Sequence, residues 1–274
     1  MFRAALLLIA LAGLTAPAFA CDMRLASRPA GVAAYVEAAG PCLIAPPEGL
    51  AFDASLEAQF LGLVNDERRR AGLPPISLRT NLSGAARFHS LDMAANTFFG
   101  HDGRDGRSPQ DRIAAFDRTA LASFTAENVA SLSRPGGRLS PDFALRRLHQ
   151  NLMDSPGHRA NILDPRATHA AFGVVRTRDS VWVTQLFMGL AGTLPQEAPL
   201  RIAAPNGLGA PSGLEGWQFV RYEIVSPTGD PWPSGVRLGP GLSARLAAYA
   251  TQPRDGRGSF TAIRFTGPAI TIER

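Results

Sequence analysis

Five histidines, His89, His101, His149, His158 and His169, hold most of the chemistry open to this chain. Neutral imidazole suits zinc and other divalent ions, and a nearby carboxylate can ligate the ion or orient a ring nitrogen. Two imidazoles converging with one carboxylate and a water would make an open, catalytic-type zinc geometry. No H-E-x-x-H sequence is present, so no single helix offers that pair. Hydroxyl nucleophiles are less promising. Ser108 and Ser155 each lie near a histidine in sequence, but neither sits in a G-x-S-x-G elbow, and both read as helix-end residues. Cys21 and Cys42 stand 21 positions apart without a C-x-x-C pairing, which excludes a cysteine zinc site.

The elements that must position these groups follow from periodicity. Leu56, Phe60, Leu63 and Val64 form an amphipathic stripe that Asp53 or Ser55 can cap and that Gly72 and Pro74-Pro75 stop. A second helix after Asn81 carries Leu82, Ala85, Ala86, His89 and Met93 on one face, which gives His89 a packed, hydrogen-bonded role. Asn81 caps it, although Asn81-Leu82-Ser83 also fits the glycosylation pattern. Ser108-Pro109 and Ser140-Pro141 open two more helices. His149, beside Arg146-Arg147 on the last of these, reads as solvated. His169 precedes a strand.

A short helix over 31–39 is expected before the proline-rich stretch 41–47, and strands over 171–177 and 181–187, turned at Arg178-Asp179-Ser180. After Gly189 the composition shifts. Residues 192–216 read as a low-charge Gly/Pro/Ala linker, and strands over 217–225, 260–265 and 270–272 suggest a β-rich C-terminal extension spanning 217–274.

The N-terminus carries an address. Arg3, the apolar run 4–14 and Ala18-Phe19-Ala20 compose a secretion signal over 1–20, with the run too short for the roughly 18 residues of a membrane span. Cys21 follows at once, so a lipid anchor on Cys21 is the alternative; the bulky Phe19 favours soluble export to a secreted or periplasmic location. In an oxidising compartment Cys21 and Cys42 can form a disulfide worth about 3 kcal/mol in the chain-entropy picture. The apolar fraction of 45% excludes wholesale disorder. A net charge of +5 invites a nucleic-acid reading, but the chain has no lysine and its arginines are scattered, the densest run being Arg68-Arg69-Arg70 at a helix end, where cations complement the dipole.

The informative stretch runs from Leu63 to Gly189. It contains Asn65-Asp66-Glu67-Arg68, Phe88-His89-Ser90-Leu91-Asp92-Met93, Phe98-Phe99-Gly100-His101, Ala126-Glu127-Asn128-Val129, Asp154-Ser155-Pro156-Gly157-His158-Arg159-Ala160-Asn161-Ile162-Leu163 and Val181-Trp182-Val183-Thr184-Gln185-Leu186-Phe187. In order and spacing these pieces resemble the CAP superfamily (cysteine-rich secretory proteins, antigen 5 and pathogenesis-related 1 proteins) in its bacterial SCP-domain form. The resemblance covers residues 55–190. It implies an α+β fold, an α-β-α sandwich over 53–191, with residues 21–52 as an N-terminal segment. It also implies a cleft in which His101 and His158 match the family's histidines and Glu127 one of its glutamates. The second glutamate belongs to a W-x-x-E segment, and here Leu152-Met153-Asp154-Ser155 lacks both the tryptophan and the glutamate. Asn128 and Asn161 are expected to tie loops to the cleft.

Two functions from different classes follow. The first is a secreted binding module that engages a lipid, an envelope component or a protein through His101, Glu127 and His158, breaking no bond. The second is a metal-dependent hydrolase or peptidase, with zinc or another divalent cation on His101 and His158 and Glu127 as ligand, orienting group or general base. The incomplete tetrad weighs against the second. Neither function needs nucleic acid or a transmembrane segment.

Export and oxidation have a direct readout. The mature protein should begin at Cys21 with an unmodified amino terminus, and alkylation under non-reducing, denaturing conditions should label neither cysteine. A diacylglycerol adduct on Cys21, or labelling of both thiols, would contradict this.

Overall fold

The computed structural model describes residues 21–26, 31–205, 207–236, 238–254 and 259–273; the expected signal segment lies outside them. The chain begins with helices α1 (Met23–Ala26) and α2 (Val32–Ile44), then strand β1 (Ala51–Phe52), α3 (Ala54–Arg70), β2 (Ser77–Leu78), α4 (Thr80–Asn96) and α5 (Pro109–Phe116). Next come β3 (Ala120–Ser133), α6 (Pro141–Asp154), α7 (Pro156–Ile162), β4 (His169–Arg176) and β5 (Ser180–Thr193). The final strands are β6 (Arg201–Ile202), β7 (Ser212–Gly213), β8 (Gln218–Val225), β9 (Ser243–Arg254) and β10 (Ser259–Ile272).

The principal strands form one sheet in the order β1-β4-β5-β3-β10-β9-β8, each pair along it antiparallel. Strand alternation decides what covers each face. Ala170, Phe172 and Val174 of β4 point to a core built with Leu56, Phe60 and Val64 of α3 and Ala144, Leu145, Leu148 and Leu152 of α6. Ala171 points the other way, against Leu82, Ala85 and Ala86 of α4 and Ile113 of α5, and Val175 joins α2 residues Val32, Tyr35, Ala39 and Cys42. The result is an α-β-α sandwich. Between the two odd positions sits Gly173, where a Cβ would lie 2.2 Å from the Ala86 carbonyl carbon and oxygen. Glycine lets the α4 backbone rest directly on β4.

Helix ends follow their capping chemistry. Asp53 accepts from the Leu56 amide at 3.0 Å, and Gly72 in the left-handed region (φ +72°) follows α3. Ser108 and Asp111 close a reciprocal capping box around Pro109 at the start of α5. Asn81 does not cap α4. Arg79 occupies that position, and the Asn81 amide lies 3.3 Å from the Thr119 hydroxyl. The helix expected over 31–39 extends through Pro41, because Ala39 and Cys42 remain buried and the Cys21–Cys42 disulfide ties its last turn to the start of the chain.

Two long strands escape the sequence reading, besides the two-residue β1, β2, β6 and β7. β3 and β9 are alanine-rich and lack the Val and aromatic run that marks β4 and β5. β8, β9 and β10 form an antiparallel meander over a separate apolar cluster of Leu246, Ala248, Phe265 and Ile270, which also takes in Leu121 of β3. Within 192–216, Leu194, Ala198, Ile202, Leu208 and Leu214 are buried in that same cluster, and β6 and β7 pair with β10 and β5.

Buried arginines fasten these parts. Arg68, 1% exposed, donates to the carbonyls of Pro74, Ile162, Asp164 and Ala167. It is the inner member of the run read as a solvated helix end; only Arg69 and Arg70 are exposed, pairing with Asp66 and Glu67. Arg118 donates to carbonyls of Ala114, Ala198, Pro199 and Ala269, so one guanidinium spans α5, the 192–216 stretch and β10.

We propose that residues 53–191 are nonetheless a folding unit of their own, with 192–216 as its boundary. A fragment ending at Gly189 should unfold cooperatively but at lower denaturant than the full chain, since Arg118 and Leu121 lose partners. A fragment without cooperative unfolding would make the extension part of one core.

Candidate functional site

The site forms where the C-terminal half of β3 meets the loop after α4 and the start of α7. Glu127 is 6% exposed on β3, its side chain 1%. A buried carboxylate needs partners, and both of its oxygens have one. Oε1 lies 2.9 Å from Nδ1 of His101, and Oε2 accepts from the Arg112 guanidinium at 2.7 Å. Arg112 reaches in from α5 and also donates to the carbonyls of His101 (2.7 Å) and Arg107 (2.8 Å). One arginine thus neutralises Glu127 and holds the backbone of the residue that Glu127 orients.

His101 itself is half exposed, with its Nδ1 turned to Glu127. The hydrogen bond to Glu127 raises its pKa above the usual imidazole value, outweighing partial burial. His158 is half-buried on α7, and burial, together with the charge of His101, holds it below the usual value. Near neutral pH the pair therefore presents one imidazole drawn toward the cationic form and one held neutral.

The β3–α7 contact is a chain of amides. The Asn128 amide donates to the His158 carbonyl and to Gln185 Oε1, both at 3.1 Å. Asn161 donates to Asn128 Oδ1 at 2.9 Å and to the Glu127 carbonyl at 3.2 Å. Asn128 and Asn161 thus bind α7 to the strand that bears Glu127. Ser155 begins α7 without a side-chain cap bond. Ser155 stands at the place of the glutamate of the W-x-x-E pattern, and its neighbour Asp154 is exposed and accepts from Gln150 at 2.7 Å.

The remaining histidines divide. His89, 1% exposed, sits behind the site, with Nε2 2.9 Å from the Gly100 carbonyl and 3.9 Å from Glu127 Oε1. Burial, aided by Arg112, pushes its pKa down to about 4, so it is neutral. His149 is not solvated. It falls on the buried face of α6 with Leu145, Leu148 and Leu152, its Nε2 3.4 Å from Glu67 Oε1, while Arg146 and Arg147 point outward. His169 is half-buried at the start of β4, with Nδ1 2.9 Å from the Thr168 hydroxyl.

A metal fits this donor set poorly. Among the described residues no group of three or more His, Cys, Asp or Glu side chains is arranged to hold an ion. Glu127 is saturated by His101 and Arg112, so only imidazole nitrogens of His101 and His158 remain, short of the three protein ligands of an open zinc centre. Arg112 is the residue that sequence reasoning missed. It lies in a short helix with no motif around it, and only the tertiary fold reveals it as the counter-ion.

The model of the cysteine-rich secretory protein family, CAP, matches residues 61–187, a span that includes His101, Glu127 and His158. Residues 61–187 are a CAP domain. The uncharacterized protein YkwD of Bacillus subtilis (strain 168) is 34% identical over 137 residues, covering 50% of this chain and 48% of its own length. The chain therefore matches about half of that relative. An outer surface protein from Borrelia burgdorferi is 16% identical with a TM-score of 0.42, covering 51% of this chain and 98% of its own. An extracellular protein containing a SCP domain from Bacillus anthracis str. Ames is 26% identical with a TM-score of 0.41, covering 49% and 40%. No described helix of the chain is long and apolar enough to cross a membrane.

His89 sets an acid limit on stability. Its folded pKa, about 4, lies below the unfolded value of 6.5, so the unfolded state binds more protons between them. Stability should fall as pH drops from 6.5 towards 4, by up to about 3 kcal/mol from this group. Urea midpoints measured from pH 7 to 4 should show that slope in the wild type and a shallower one in His89→Gln. Equal slopes would contradict the assignment.

Proposed function

We propose that this chain is an exported binding protein whose CAP cleft holds the anionic head group of a lipid, an envelope component or a protein. One observation carries the reading: both oxygens of Glu127 are engaged inside the protein, so the cleft offers imidazoles rather than a free carboxylate. His101, drawn towards its cation by Glu127, can donate a charge-assisted hydrogen bond from its outer nitrogen. His158 supplies a second, neutral imidazole. The disulfide suits an oxidising compartment.

The metal-dependent hydrolase is the second reading. The same His101–Glu127 hydrogen bond favours it, because a carboxylate on Nδ1 is how a general-base imidazole is oriented. It lacks a third donor, and Glu127 is committed to Arg112.

The two readings carry opposite pH signs. An anion prefers protonated His101, so its binding strengthens as pH falls through a value above 6.5; zinc needs neutral imidazole and weakens over the same range. Vesicles of phosphatidylglycerol, with phosphatidylcholine as control, should bind the mature protein more tightly at pH 6 than at pH 8. His101→Ala should weaken that binding about tenfold, and His169→Ala should leave it unchanged. Calorimetry should show zinc binding that is weak and fades on acidification. Tight zinc binding with metal-dependent peptide cleavage, and no preference for anionic vesicles, would support the hydrolase instead.

A further inference from the structure

A cavity of about 490 Å3 opens where α5 and β3 of the sandwich face β9 and β10 of the extension, and none of His101, Glu127 or His158 lines it. Its origin lies in the sheet. β3 and β10 meet in register at a single pair, Thr266 and Ala122. Around that pair β3 shifts register against β5 between Leu121 and Ala122 and again between Ala122 and Phe124. β10 shifts against β9 between Thr266 and Ala269. Irregularities on both strands at their one contact splay the wall, as bulges beside binding sites do. Gly267 belongs to this bend, since a Cβ there would lie 2.8 Å from the Leu246 carbonyl oxygen.

The lining has a definite chemistry. Arg245 enters from β9 with its side chain 8% exposed, and its Nε makes no hydrogen bond among the described residues. The same guanidinium donates to Asp111 Oδ1 at 2.7 Å. Asp111 Oδ2 accepts from the Ser108 hydroxyl (2.7 Å) and amide (3.1 Å), so both carboxylate oxygens are engaged. Its carboxyl is held below the usual range by those partners. An entering anion would lie beside Asp111 and an entering cation beside Arg245, which leaves neutral groups as the favoured guests. Thr125, Thr266 and Gln110 line the cavity with side chains that make no hydrogen bond among the described residues. Phe124 and Ala122 add apolar wall.

We propose that this junction cavity binds a neutral, polyhydroxylated ligand, one or two sugar rings of a glycan. Sugar hydroxyls can both accept from and donate to Thr125, Thr266 and Gln110, and the C–H faces of the ring suit Phe124 and Ala122. The volume lies within the roughly 300–1,000 Å3 typical of small-molecule sites. A second cavity of about 230 Å3 shares Asp111, Pro227 and Arg245 with the first, so the ion pair stands between two rooms.

The test uses the mature chain, with maltotriose and triacetylchitotriose as neutral probes and glucuronate as the charged control. Calorimetry should show saturable binding of at least one neutral sugar, and NMR shifts should fall on the methyl groups of Thr125, Thr266 and Ala122. Thr266→Val, which keeps shape and removes one hydroxyl, should weaken binding about fivefold, and Gln110→Ala, at an exposed helical position, should weaken it similarly. The proposal is overturned if neither sugar binds or if glucuronate binds more tightly than both. It is equally overturned if the shifts map to His101 and His158, or if both folded variants bind like the wild type.

Discussion

A carboxylate buried on a central strand must be neutralised where it sits, and much of this CAP domain is arranged to do that for Glu127. Arg112 and His101 divide its two oxygens. Removing one member of the buried Glu127–Arg112 pair leaves a stranded charge, at a cost of about 3–5 kcal/mol. The demand reaches outward: α5 must be capped by Ser108 and Asp111 to deliver Arg112, and the loop carrying His101 must present its carbonyl to the same guanidinium. His89 behind the site is kept neutral by burial and that nearby positive charge. What faces solvent is then the oriented imidazole of His101, beside a His158 whose backbone carbonyl is held by the Asn128–Asn161 bridge.

Arginine performs the structural work that its count alone conceals. The chain has no lysine, and its scattered arginines read as solvated charge. Several are internal staples. Arg68 and Arg118 each gather carbonyl oxygens from segments far apart in sequence, a task for a planar guanidinium with several fixed donors. Burial lowers both pKa values, Arg118 to about 10, which still leaves it charged near neutral pH. In Arg118 the sandwich and the C-terminal strands share one fastening point, next to the splayed junction of β3 and β10.

Legibility in the sequence followed local order. Helices α3, α4, α5 and α6 could be read because caps, prolines and apolar stripes are local signals, and β4 and β5 because their Val and aromatic content is dense. β3, which bears Glu127, could not: Ala-Leu-Ala-Ser-Phe-Thr-Ala-Glu is neither clearly alternating nor β-branched, and its strand identity comes from lying between β5 and β10. His101 and Glu127 became a pair only through motif resemblance, since 26 residues separate them. Arg112 left no trace. Nor could His149 be placed correctly from its neighbours Arg146 and Arg147, because a helix turns its side chains to different faces within one turn.

Glu127, held between Arg112 and His101, fixes the His101 ring with Nδ1 protonated and its outer nitrogen free for a ligand. Long-range nitrogen–proton correlation NMR on the mature protein reports tautomer and titration together. Neutral His101 should carry its proton on Nδ1 and titrate above 6.5, and Glu127→Gln should lower that midpoint. A His101 ring protonated on Nε2 when neutral, or a midpoint at or below 6.5 that does not move in Glu127→Gln, would contradict it.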